Sequence, residues 1–132
     1  MESRILFESR KLNPWADFAR AGELREGAVY FHVSYRDDDM LVPYMEPLVF
    51  VGRNLEPDVV DRAYFQDLDS YQEGMRFSNA VDKAFVEARW EPLFQSFQEK
   101  HGQVMAVYEF ELALEELMRC SLKRREQLKN AK

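Results

Sequence analysis

Eight consecutive residues, Tyr64-Phe65-Gln66-Asp67-Leu68-Asp69-Ser70-Tyr71, carry two phenols, two carboxylates, an amide and a hydroxyl. Such a density of hydrogen-bonding groups at the end of an extended segment is the feature of this chain best suited to holding a polar small molecule. His32 is the histidine that adjoins aromatic and hydroxyl neighbours, Tyr30 and Ser34, at strand spacing. A ligand-binding or catalytic reading therefore uses His32, Tyr64, Asp67, Asp69 and Tyr71. It requires that these side chains converge on one pocket. No residue is assigned a catalytic role.

Other chemistries fail on spacing. A calcium loop counted from Asp67 needs glycine at its sixth position and an acid at its twelfth, but Gln72 and Ser78 stand there. The run Asp37-Asp38-Asp39 reads as a turn, since carboxylates adjacent in sequence point apart. The chain has two histidines and one cysteine, with no His-Glu-x-x-His pair and no cysteine cluster, so no metal site is expected. Cys120 has bases nearby that would favour a thiolate but no neighbouring histidine, and it reads as a small buried helix residue. The five glycines (22, 27, 52, 74 and 102) are scattered and build no phosphate cradle. No cofactor is expected.

The chain of 132 residues is 46% hydrophobic and 32% charged, the balance of a globular chain, and its length suits a single domain over 1–132. One cysteine cannot form an intrachain disulfide. The N-terminus reads as no signal peptide and no segment reaches the length of a bilayer span, so a soluble cytoplasmic protein with no membrane partner is expected. The net charge of −6 is unevenly placed. From Arg119 to Lys132 six basic residues and one acid give a net of +5, leaving −11 on the other 118 residues. An acidic body argues against nucleic acid. The gradient also matches a helix dipole, with Glu109, Glu111, Glu115 and Glu116 early and Arg119, Lys123, Arg124 and Arg125 late.

The elements that position these groups follow from periodicity. Asn13-Pro14 reads as a cap and first turn of a short helix bearing Trp15, Phe18 and Ala19, stopped at Gly22. From Ala28 the period is two: Val29, Phe31, Val33 and Tyr35 alternate with Tyr30, His32 and Ser34. The Asp37–Asp39 turn joins this strand to a second extended run, Met40 to Arg53, as a hairpin. Pro43 and Pro47 in that run lie four apart, so their missing donors face one side, either an open edge or a segment outside the ladder. Val59 to Gln66 reads as a third strand. Residues 80–100 fit a helical stripe broken at Pro92, or a strand over Ala84–Trp90 followed by a short helix. From Val104, apolar residues at Val107, Phe110, Leu114, Leu117, Met118 and Leu122 mark a long C-terminal helix, although Val104 to Leu112 also alternates as a strand would.

The expected fold is α+β: an antiparallel sheet of three or four strands, covered on one face by helices that include the C-terminal one. Phe110, Leu114, Leu117 and Met118 would pack on the sheet. Because no chemical signature stands out, and because ten Phe, six Tyr and six Met are many for this length, the expected function is a non-enzymatic protein-interaction or self-associating module. The alternative is the small-molecule site around Tyr64–Tyr71.

Overall fold

The computed structural model describes residues 3–76 and 94–130. Strands β1 (Val29–Tyr35) and β2 (Pro43–Arg53) form the expected antiparallel hairpin, in the register Tyr30↔Leu48 to Tyr35↔Pro43. Asp37 fixes its turn by accepting from the backbone N–H of Leu41 and, at 2.7 Å, of Val42. Those donors hold the Asp37 carboxyl below its ordinary value against the opposing effect of burial. The prolines also find their place. Arg36 N donates to Val42 O and Phe50 N to Ala28 O, so even-numbered residues of β2 bond to β1. The odd-numbered Pro43 and Pro47 therefore turn their missing donors away from β1. On that side the next strand, β3 (Arg62–Asp67), pairs with β2 only from Leu48 onward.

Beyond β3 the chain departs from expectation. Asp67 caps a short helix, α1 (Leu68–Gln72), by accepting from Ser70 N at 2.9 Å. Residues 94–100, read as helical, are instead a strand, β4 (Phe94–Lys100), paired with β3. The Ala84–Trp90 alternative lies outside the described residues. His101 and Gly102 both have positive φ, the geometry of a two-residue hairpin turn that matches strand twist. They lead into β5 (Gln103–Val104) and, after a kink at Met105-Ala106, β6 (Val107–Tyr108).

These two short strands change the architecture. The strand order is β5-β4-β3-β2-β1-β6, so neighbours in sequence, β5 and β6, occupy opposite edges of one sheet. The sheet is thereby rolled nearly into a barrel, and residues 19–21 seal the seam. Ala19 N donates to Val107 O, Val104 N to Ala19 O and Ala21 N to Gly102 O, all within 2.9 Å. The expected open sheet of three or four strands covered by helices is therefore corrected to a six-stranded antiparallel sheet, nearly closed, with one long C-terminal helix. Two-residue strands carry too little periodicity to be read from sequence. The expected helix at 13–22 is absent apart from a 3-10 turn at Ala21–Glu23, because the backbone there is used to bridge the seam. The interior holds Tyr30, Leu48, Phe50, Ala63, Phe65, Val104 and Val107. The rings of Phe50 and Phe65 lie 5.5 Å apart, and those of Phe65 and Phe97 5.7 Å.

Helix α2 (Phe110–Asn130) lies outside the barrel, against β1 and β6. Its inward residues are Ala113, Glu116, Leu117 and Cys120, which meet Phe31, Val33, Tyr35 and Tyr108. Of the four side chains expected there, Leu117 packs inward and the Phe110 ring lies 5.2 Å from that of Phe31 on β1. Phe110, Leu114 and Met118 are 56%, 37% and 37% exposed. Ala113 and Cys120 on the inner face let the helix approach the sheet closely, and Leu114 and Met118 are left at the edge of the contact.

Candidate functional site

The five residues of the expected polar site do not share a pocket. His32 follows Tyr30 on the inner face of β1, and its ring lies 4.7 Å from that of Phe97. Burial there lowers its pKa. Tyr64 neighbours the inward Phe65 in β3 and so faces outward, where it is buried. Burial and the negative charge of Glu56 raise its phenol pKa. Asp67 is spent as the cap of α1, and Asp69 is exposed in its first turn. Tyr71 stacks under Arg76, whose guanidinium carbon is 3.7 Å from the ring centroid. Beside that pair is a shallow hollow of about 320 Å³ bordered by Gly27, Phe50 and Leu55. Gln66, which the polar density drew in, is a structural amide: its Nε2 donates to Ser70 Oγ at 3.0 Å and to Met75 O at 2.8 Å.

A second polar group, absent from the sequence reading, gathers under α2. Tyr35 donates its phenol proton to Glu116 Oε2 in a short hydrogen bond, and Arg119 donates to Glu116 Oε1 at 3.1 Å. Burial, then the bond to Glu116 and its charge, push the Tyr35 phenol far above the ordinary tyrosine value. Burial and the same carboxylate do so for Tyr108. Burial also raises the Cys120 thiol, so the nearby bases do not activate it. A cavity of about 340 Å³ opens beside these groups, between Phe18, Met40 and Lys123.

The polar groups around that cavity are committed to the protein itself. Arg119 Nε donates to Asn13 O at 2.7 Å. Lys123 donates to Asp39 O at 2.6 Å, Arg124 to Leu41 O at 3.1 Å, and the Cys120 thiol lies 3.7 Å from Met40 O and Leu41 O. The helix is thus bolted to the β1–β2 turn and to the N-terminal segment. Three of the late basic residues have a structural task in addition to matching the helix dipole.

The outer face of α2 presents the opposite condition, with apolar groups exposed. Phe110, Leu114, Met118 and Leu122 recur at four-residue spacing and make one stripe, and Leu128, six residues beyond Leu122, is exposed as well. Alongside runs the N-terminal segment, held by Arg10 to Glu111 at 3.1 Å and to Glu115 at 3.4 Å. Its Leu6 and Phe7 are 87% and 91% exposed. Between that segment and the helix is a groove of about 830 Å³ lined by Leu6, Phe7, Arg10, Leu114, Glu115 and Met118. Among the described residues no group of histidine, cysteine or carboxylate side chains is placed to hold a metal ion, and no helix is long and apolar enough to cross a membrane. Comparison with protein families, with curated proteins and with solved structures returned no match.

Proposed function

We propose that this chain is a protein-interaction module whose binding surface is the outer face of α2 together with the N-terminal segment. The carrying observation is the apolar groove between Leu6-Phe7 and Leu114-Met118. Leu6 and Phe7, almost wholly in water, forgo about 1.5–3 kcal/mol each of burial, and the partly covered Leu114 and Met118 a smaller share, which a partner's apolar surface would supply. The polar cluster under the helix supports the same reading. It holds α2 rigidly against the barrel, so the stripe is presented in one orientation without ordering on binding.

A photoreactive phenylalanine analogue at Leu114 tests this in cells that make the chain. A discrete protein adduct is expected from position 114 and not from Val60, which is 74% exposed away from the groove. Equal behaviour at the two positions would refute the reading.

A further inference from the structure

We infer that the stripe on α2 binds a second copy of this chain, helix to helix and antiparallel, about a two-fold axis near Met118. This rests on the interaction-module reading above and names its partner. The argument is charge complementarity along one surface. In its first turns α2 carries Glu111 and Glu115, and in its last turns the exposed Arg125 and Lys129. At 100° per residue, Leu114, Met118, Arg125 and Glu111 fall within a sector of about 60°. The apolar stripe and both ends of the charge gradient therefore face the same way.

A parallel copy would set Glu111 against Glu111 and Arg125 against Arg125, with the helix dipoles aligned, and each of these contacts is repulsive. An antiparallel copy reverses all three. With the axis near Met118, Leu114 meets the partner's Leu122, and Glu111 meets the partner's Arg125. By symmetry every such contact occurs twice, as in any isologous interface. The same sequence of acid, apolar stripe and base thus complements itself, without a partner of different composition. The far end of the helix points to the same arrangement. Residues 121–130 are exposed throughout, and among the described residues Arg124 is the last of α2 bonded to the β1–β2 turn. The six residues beyond Arg124 are an exposed helix end that a neighbouring helix would cover.

The two-fold relation makes a sharp test on the full chain, by light scattering across a concentration series. The parent is expected to pass from one to two copies. Glu111→Arg alone and Arg125→Glu alone should each weaken association about tenfold, because each places like charges together at two sites. The double variant Glu111→Arg/Arg125→Glu should regain the parent's association, since the pairs re-form with signs exchanged. Arg10 loses its Glu111 partner in the first single variant and in the double alike, so rescue separates the interface from any effect on the N-terminal segment. A parent that stays monomeric, an association indifferent to either reversal, or a double variant without rescue would each overturn the antiparallel pair. A monomeric parent that still forms the Leu114 photoadduct with another protein overturns the second copy alone; a monomer without that adduct removes the interaction module as well.

Discussion

Glu116 and Tyr35 show how one buried contact organises the site. The carboxylate accepts a hydrogen bond from the phenol on one oxygen and from the Arg119 guanidinium on the other, at the buried face of a helix whose other polar bonds lie nearer its exposed edges. Tyr35→Phe removes one of these donors and is expected to cost about 1–3 kcal/mol in urea unfolding, as for a buried charged acceptor stripped of a partner. A pH dependence follows. The Tyr35 and Tyr108 phenols lie above the ordinary value of 10.0, so the native state keeps these protons longer than the unfolded chain. The linked stability is complete below pH 10.0 and is lost as pH climbs toward the native values. Tyrosinate absorbance should show both titrating late, and Tyr35→Phe should remove one of the late phenols. Titration of Tyr35 together with exposed phenols would contradict the bond to Glu116. Nothing local announces this pair, because the two residues are 81 apart in sequence. The visible density at Tyr64–Tyr71 instead proves to be a helix cap, a stacked pair and a structural amide.

At the scale of elements, legibility follows length. The β1–β2 hairpin was readable because seven and eleven residues are enough to show alternation, and because Asp37 marks the turn. Strands β5 and β6 have two residues each and were absorbed into the reading of α2. Their kink has its own signature, Ala106 at φ +63, whose carbonyl accepts from Val33 N at 3.2 Å. A β-branched side chain is poorly tolerated in that left-handed region. Ala106→Val is therefore expected to destabilise the fold by about 1–3 kcal/mol, read from the unfolding midpoint. An unchanged midpoint would mean that the kink does not bear on closure. For α2 the existence of the helix was legible and its orientation was not. Large apolar residues suggested an inward face, whereas Ala113 and Cys120 take that place and Leu114 and Met118 are left outside. The mismatch between apolar pattern and burial is what exposes the candidate surface.

The described residues form a nearly closed barrel with a long helix bonded to its outside. Closure leaves the barrel self-sufficient: its interior of Tyr30, Leu48, Phe50, Phe65, Val104 and Val107 needs nothing from the outer face of α2. The stripe is then surplus to the fold and available to a partner, which is the central claim. The concentration dependence of the thermal unfolding midpoint tests it most directly, for the parent and for Leu114→Asp/Met118→Asp. Association with a second copy raises the parent's midpoint with concentration, while the variant's stays constant. At the dilute limit the variant should lie below the parent by no more than about 2 kcal/mol, the cost of two aspartates within a helix at partly covered positions. A parent midpoint independent of concentration, with the variant melting well below it at every dilution, would show that Leu114 and Met118 belong to the core and would contradict the account.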